Sequence, residues 1–132
     1  MRSIILLGLG LGLGLGCVFT AITLNMLAQR SAYPRGVMQV MQHHYAELRG
    51  GLRAGRCSGA AHEGEVLALL TGELELAVYG PETPDAPFRK FTQRLQDALT
   101  GLVTAPASDC AALAPIIERV GNACEACHQQ YR

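Results

Sequence analysis

The chain has 132 residues, which is enough for one small folded domain. Lysine plus arginine equal aspartate plus glutamate at 11 each, so the sequence lacks the basic excess that a nucleic-acid-binding surface needs. Trp is absent and aromatic residues make up only 5% of the chain. A domain of this size is then short of large core side chains, and this favours a bound apolar group in its interior.

The first predicted element is a membrane anchor over residues 1–29. No charged residue occurs from Ser3 to Gln29, and at about 1.5 Å per residue this run exceeds the ~30 Å hydrocarbon core of a bilayer. A cleaved signal peptide is the alternative, but no good small-x-small cleavage site follows the run. We therefore expect one uncleaved transmembrane helix, a polar link over Gln29–Tyr33, and a separate domain over residues 30–132.

Glycine recurs at every second position from Gly8 to Gly16 in this segment. A helix would carry Gly8, Gly12 and Gly16 on one face and Gly10 and Gly14 on nearly the opposite one. Small residues at this spacing let helix backbones approach closely, which indicates docking beside another transmembrane subunit. The alternative is a Leu/Gly filler that needs only to be hydrophobic.

Two helices are predicted directly after the link. The first begins at Pro34 and ends at Gly55, and its apolar positions step by three and four residues. The second takes Ser58 as its N-cap and stops at Gly80-Pro81. The predicted inner faces are Met38, Met41, Tyr45, Leu48 and Leu52 in the first helix and Val66, Leu69, Leu70, Leu74 and Ala77 in the second.

Two further helices complete the predicted domain. The third opens around Asp85 and Pro87 and is broken by the segment 104–106, and the fourth begins near Asp109. Pro115 should kink the fourth helix or mark a later start. Short loops and the absence of strand-like alternation predict an all-α fold, an antiparallel up-down-up-down four-helix bundle. The inner faces are Phe88, Phe91, Leu95, Leu99 and Leu102, then Leu113, Ile117, Val120, Cys124, Cys127 and Tyr131.

The most specific motif is Cys124-Glu125-Ala126-Cys127-His128. C-x-x-C-H is typical of covalent haem attachment, because two thiols add to the haem vinyl groups and the next residue sets an imidazole under the iron. A redox C-x-x-C or half of a zinc site is the alternative, but zinc needs a second ligand pair and the other cysteines are isolated. We expect one haem c, bound through Cys124 and Cys127, with His128 on the iron and the domain in the periplasm.

The surroundings of this motif carry a family resemblance. Val120-Gly121 precede it, Tyr131-Arg132 follow it, and residues 79–83 read Tyr-Gly-Pro-Glu-Thr. Over roughly residues 34–132 the pattern resembles the cytochrome c-prime family, also called class II cytochromes c, although that family usually has Gly where Glu82 stands. The resemblance implies that Arg132 lies near the proximal imidazole and tunes the site, and that the domain can form a homodimer.

The resemblance also concerns the sixth iron ligand. In the family the first helix offers either an apolar residue, which leaves a gas-accessible site, or a methionine that closes the coordination sphere. The aligned position here is Met38, and Met41 matches a second residue of the family pattern. Arg35 stands three residues before Met38, where the family usually has four, so the register is open by one. Alternatively both methionines only fill the core. His43 and His44 are predicted as surface or flanking residues.

Cys57 and Cys110 remain as a candidate disulfide, while Cys17 reads as a small residue inside the anchor. Cys57 follows the first helix and Cys110 begins the fourth, and the predicted topology puts both at the same end of the bundle. A disulfide between them fits an oxidising periplasm. Two unrelated buried thiols are the alternative.

The leading functional hypothesis is electron transfer without transformation of a substrate, so the chain is not expected to be an enzyme. The predicted place is the bacterial cytoplasmic membrane, crossed once, with the haem domain in the periplasm. The expected partners are an integral membrane redox complex, met through the Gly-rich helix, and electron donor and acceptor proteins. The alternatives are a five-coordinate haem protein that binds NO or CO, and an accessory structural subunit of a membrane complex.

Overall fold

The computed structural model describes residues 2–105 and 109–131, without the side chains of residues 2–11, 13 and 27–31. The predicted all-α class is confirmed, since these residues contain four helices and no strand. The helices are α1, Arg2–Arg53; α2, Ala60–Tyr79; α3, Ala86–Thr104; and α4, Cys110–Gln130.

The chain divides into two compact units, Met1–Arg35 and Gly36–Arg132. The prediction of a polar link over Gln29–Tyr33 was wrong, because α1 includes these residues, and Pro34 lies inside the helix. The segment contains no glycine, and its polar residues are compatible with a continuous helix.

The N-terminal unit contains the segment that the sequence predicts to be a membrane anchor. Among the described residues, no helix has both the length and the hydropathy that crossing a membrane requires. Gly12, Gly14 and Gly16 have open space where a Cβ atom would stand, while Gly8 and Gly10 fall outside the described side chains. The anchor and its docking face stay predictions from the sequence.

The start of α2 differs from its prediction and the end agrees. Gly59, and not Ser58, is the N-cap, and no side chain caps this end. The Ala60 N–H donates to the carbonyl of the buried Cys57 at 3.0 Å, so a backbone turn leads into the helix. At the other end Gly80 has a φ of 61°, a left-handed conformation that glycine adopts at little steric cost. The predicted stop at Gly80 is confirmed.

The buried face of α2 consists partly of other residues than the sequence predicts. Leu69 was placed inside, but it is 75% exposed. Small residues take the inner positions because α3 lies close: a Cβ on Gly64 would stand 3.1 Å from Leu102 Cδ2. Thr71 is buried too, and its hydroxyl donates to the carbonyl oxygen of Leu67 at 2.7 Å. The buried stripe consists of Ala60, Gly64, Leu67, Thr71, Leu74 and Ala77.

Aspartate caps both of the last two helices, near the positions where the sequence predicts that these helices begin. Asp85 Oδ1 accepts the Phe88 N–H at 2.7 Å, and Asp109 Oδ1 accepts two N–H groups of the first turn of α4 at 3.0 and 3.1 Å. Such caps satisfy donors that have no partner inside the helix. Pro115 lies within α4, so this helix starts where predicted and continues past the proline.

Contacts between helices run in opposite chain directions, which fits the predicted antiparallel bundle. The end of α2 meets the start of α3, where the Tyr79 and Phe88 ring centroids are 4.9 Å apart. The start of α2 meets the end of α3 at the Gly64–Leu102 contact. α3 packs against α4 as well. The most deeply buried side chains of this core are Phe88, Leu99, Leu102, Leu113 and Val120.

Candidate functional site

A cavity of about 370 Å³ lies within the Gly36–Arg132 unit, and all four helices contribute to it. We call it the bundle cavity. Its volume falls in the range of about 300–1,000 Å³ that is usual for cofactor and ligand sites. Among the described residues that line it there is no Asp, Glu, Lys or Arg. Most of its wall is apolar and includes Met38, Met41, Leu67, Leu74, Phe91 and Val120.

The C-x-x-C-H residues meet at this cavity. Cys124, Cys127 and His128 all line it, because residues three and four apart on a helix share one face. Both cysteines are half-buried and carry free thiols, whereas His128 is exposed at the rim. The structure therefore brings together the three residues that the motif predicts to act together.

The two thiols differ from those of a disulfide-exchange centre. Burial raises the pKa of Cys124, and the neighbouring Cys127 raises this pKa further. Burial also raises the pKa of the Cys127 thiol. Redox-active C-x-x-C cysteines instead have a lowered pKa, because the thiolate is the attacking form. The raised pKa of both thiols is the opposite of that pattern.

The methionines of α1 reach the cavity and the histidines of α1 do not. Met41 is only 6% exposed and belongs to the core, while Met38 is half-buried and packs against that core. Both line the cavity. His43 is exposed, and His44 Nδ1 lies 2.6 Å from Glu63 Oε2, so its contact is with α2.

The residues present fit a covalently attached haem. Two unpaired thiols one helical turn apart and an adjacent imidazole open onto an apolar space, the donor set that such a haem requires. The part of the chain that the structure describes holds no cluster of three or more His, Cys, Asp or Glu side chains suited to a metal ion. A haem needs no such cluster, because the porphyrin supplies most of the iron's ligands. The predicted Arg132 lies outside the described residues.

The other predicted cysteine pair forms a disulfide. Cys57 and Cys110 are bonded, with their Cα atoms 5.5 Å apart. The bond joins the segment after α1 to the first residue of α4. Cys17 is exposed and free. The pairing leaves both cysteines of the C-x-x-C-H motif unpaired.

Sequence reasoning missed a hydrogen-bonded group beside the end of α4. The carboxylate of Asp85 accepts the hydroxyl of Tyr131 at 2.6 Å and that of Tyr79 at 2.8 Å. These bonds lower the pKa of Asp85, with the Tyr131 bond as the largest cause, and the Asp85 carboxylate raises the pKa of Tyr131. The Phe88 ring packs edge-on against both tyrosine rings. The sequence indicated Asp85 only as the start of the third helix.

A second omission concerns the cavity wall. Tyr45 lines the cavity, although its position in the apolar stripe of α1 indicated only a core residue. Gln42 and Thr92 also line it, and the sequence analysis did not single out either residue. Helical periodicity alone does not separate a residue that faces a cavity from one that faces packed side chains, because both lie on the same stripe.

This chain was compared with known protein families, curated proteins and solved structures. No protein-family model, no curated protein and no solved structure matches this chain. The functional argument therefore depends on the cavity and on the residues that line it.

Proposed function

We propose that this chain is a monohaem c-type cytochrome of the class II arrangement, and that it transfers electrons. The observation that carries this proposal is the meeting of Cys124, Cys127 and His128 from α4 with Met38 from α1 at one apolar cavity. The two cysteines would hold the haem, and His128 would bind its iron. The haem supplies one-electron chemistry when bound, and the protein supplies its orientation and surroundings.

The wall of the cavity supports this role. Leu67, Leu74 and Phe91 line the site with hydrocarbon. A site of low polarity disfavours the more highly charged state of a haem iron, so these side chains would raise the reduction potential of a bound haem.

Met38 is the proposed sixth ligand. It lies on α1, whereas His128 lies on α4, and unlike Met41 it is not part of the buried core. A thioether at this position gives a six-coordinate iron and a raised potential. Met41 would contact the haem as part of the wall.

A second candidate function is the binding of NO or CO by a five-coordinate haem. It is favoured by the contact of Met38 with the core, since a methionine that only fills space leaves one face of the iron open. Carbon monoxide separates the two candidates. An immediate spectral change when CO is added to the reduced protein supports the open site, and an unchanged spectrum supports Met38 ligation.

The membrane tether belongs to the same proposal and rests on the uncharged run from Ser3 to Gln29. A haem domain in the periplasm agrees with the Cys57–Cys110 disulfide, because disulfides persist in oxidising compartments. A tether would raise the local concentration of the domain at an integral membrane redox complex, so that weak docking suffices for electron exchange. In mild detergent the full chain should co-purify with such a complex.

The test is expression of the full chain in a bacterium with haem-attachment machinery, followed by intact mass and the pyridine haemochrome spectrum. The expected result is one covalent haem per chain. The variant with both Cys124→Ala and Cys127→Ala should carry none, and the matched control Cys17→Ala should carry one. Purified full chain without covalent haem overturns the proposal.

The sixth ligand is then tested by two variants at the same cavity. Met38→Ala should convert a low-spin spectrum to one that binds CO at once, whereas Met41→Ala should keep the low-spin spectrum and lose stability through the cavity it creates. The opposite pattern would make Met41 the ligand. A wild-type spectrum that already responds to CO moves the assignment to the gas-binding candidate.

A further inference from the structure

A groove of about 520 Å³ lies at the surface of the bundle between α3 and α4. We call it the α3–α4 groove. It is formed by the middle of α3 and by the part of α4 that leads into the C-x-x-C-H motif. Its lining residues are Arg94, Asp97 and Ala98 from α3 and Arg119, Asn122, Ala123 and Ala126 from α4.

Two arginines give this groove its charge. Arg94 and Arg119 are exposed, and neither forms an ion pair with a carboxylate among the residues that the structure describes. The Arg119 side chain reaches toward α3, since a Cβ atom on Gly101 would stand 3.8 Å from its Nη2. The single carboxylate in the groove is that of Asp97. The lining therefore has an excess of positive charge.

The α3–α4 groove and the bundle cavity share part of their walls. Ala123 lines both spaces. The guanidinium carbon of Arg94 lies over the Phe91 ring, 5.9 Å from its centroid, a distance at which a cation is attracted to an aromatic face. Phe91 in turn lines the cavity. A group bound to Arg94 would therefore lie beside the cavity wall.

The other lining residues favour a carboxylate on an aliphatic stem. Ala98, Ala123 and Ala126 have only methyl side chains, so they leave room between the helices and present an apolar surface. Each guanidinium offers a planar fork of donors that matches the two oxygens of a carboxylate. Because the arginines come from different helices, they can bind two carboxylates of one acidic segment.

Two other surfaces of the bundle lack this positive excess. Helix α2 carries four glutamates and no Lys or Arg. The groove between α1 and α4 has two charges of each sign, from Arg49, Arg53, Glu118 and Glu125. In that groove Tyr45 lies close to Gly121, where a Cβ atom would stand 3.0 Å from Tyr45 Cζ. An acidic protein is therefore repelled by α2 and attracted to the α3–α4 groove.

We infer that the α3–α4 groove binds a carboxylate-rich segment on the surface of an acidic partner protein, with Arg94 and Arg119 as the anion-binding residues. The partner would be a redox protein that docks beside the haem, and this part rests on the proposed function. The binding of carboxylates by the groove does not require a haem. Asp97 opposes the binding because it repels the same carboxylates.

The probe is a fluorescein-labelled hexaglutamate peptide, added to the full-length chain in a neutral detergent at low ionic strength. Fluorescence anisotropy measures its Kd. Arg94→Gln and Arg119→Gln should each weaken binding about fivefold, and the double variant about twentyfold, because each removes one exposed charged contact. A labelled hexaglutamine peptide should not bind.

Two further variants separate this groove from net charge and from damage to the fold. Arg53→Gln removes the same charge from the groove between α1 and α4, so it should change the Kd less than about twofold. Asp97→Asn should tighten binding about twofold to fivefold, because it removes a repelling carboxylate. Damage to the fold does not explain a gain in affinity.

Several outcomes overturn the inference. They are a wild-type chain that does not bind hexaglutamate, an unchanged Kd in the Arg94→Gln and Arg119→Gln double variant, and an equal loss in Arg53→Gln. Tighter binding of a labelled hexathymidine oligonucleotide than of hexaglutamate also overturns it, since the groove would then prefer phosphate.

The failure of the inference can be told from the failure of the proposed function. A chain that carries no covalent haem, but binds hexaglutamate through Arg94 and Arg119, supports the groove and overturns the proposed function. A chain that carries the haem, but binds hexaglutamate equally well without the two arginines, leaves the proposed function standing and overturns the groove.

Discussion

The Tyr131 hydroxyl donates a hydrogen bond to Asp85, with 2.6 Å between Oη and Oδ1, although the two residues are 46 positions apart in the sequence. The same carboxylate caps α3 through the Phe88 N–H and accepts Tyr79 from the end of α2. One side chain thus joins the ends of three helices. Tyr131 stands three residues beyond His128, so the contact also fixes the end of α4 that carries the proposed iron ligand.

Replacing Asp85 should destabilise the fold more than replacing the other helix-capping aspartate. Asp85→Asn keeps one oxygen for the cap but cannot accept from both tyrosines, so Tm should fall by several degrees at neutral pH. Asp109→Asn is the matched control, because Asp109 accepts only from N–H groups of its own helix. Thermal unfolding followed by circular dichroism measures both, and equal losses would show that the tyrosine bonds contribute no stability.

The same group predicts how stability depends on pH. Hydrogen bonds lower the pKa of Asp85 from 3.8, so its contribution is complete above that value and is lost as the pH falls through the folded-state pKa. The pKa of Tyr131 is raised from 10.0, so its contribution is complete below that value and is lost as the pH rises through the folded-state pKa. Urea unfolding between these limits should give a plateau. Tyr131→Phe should flatten both edges, and edges of unchanged steepness would assign the pH dependence to other groups.

The disulfide should contribute a large part of the stability of the bundle. Cys57 and Cys110 are 53 residues apart, and closing a loop of that length stabilises the fold by about 4 kcal/mol in a chain-entropy description. The variant with both Cys57→Ser and Cys110→Ser should lose a stability of this order in denaturant unfolding. Denaturant unfolding of the wild-type chain in the presence of a reductant is the companion measurement and should show a loss of the same order. A loss well below about 1 kcal/mol in both would mean that the unfolded chain is already compact there.

Replacing each of two glycines of α2 with alanine should change the stability of the protein differently. Gly72 is exposed and has nothing within 4 Å of a Cβ position, so Gly72→Ala should raise the free energy of unfolding by about 0.5–1 kcal/mol through helix propensity. Gly64→Ala gains the same backbone preference, but its Cβ would stand 3.1 Å from Cδ2 of Leu102, which is fully buried. We expect it to be less stable than Gly72→Ala by at least about 1 kcal/mol. Equal stabilisation would show that α3 can shift away from α2.

Much of the fold follows from local sequence signals. The starts of α3 and α4 near Asp85 and Asp109, the stop at Gly80 and the apolar stripe of α4 are set by residues within a turn of the element, and each was predicted. The meeting of Cys124, Cys127 and His128 follows from helical spacing alone. The Cys57–Cys110 pair followed from topology once four antiparallel helices were expected.

The remaining features depend on contacts between distant segments, which no local pattern encodes. Leu69 is exposed because the packing of α3 at Gly64 turns α2 about its axis. The link before Pro34 is helical because its polar residues do not break a helix. The Tyr131–Asp85 bond and the Tyr45–Gly121 approach join residues 46 and 76 positions apart, where sequence periodicity carries no information.

The two ends of the bundle are closed in different ways. A covalent bond holds Cys57 to Cys110 at one end, and hydrogen bonds to Asp85 hold the other. Local opening begins where the fewest strong constraints must be broken, so the end with Tyr131 frays first. Cys127 lies one turn from that end. Under the proposed function, fraying of the last turns of α4 would expose both thiols for haem attachment while the rest of the domain stays folded.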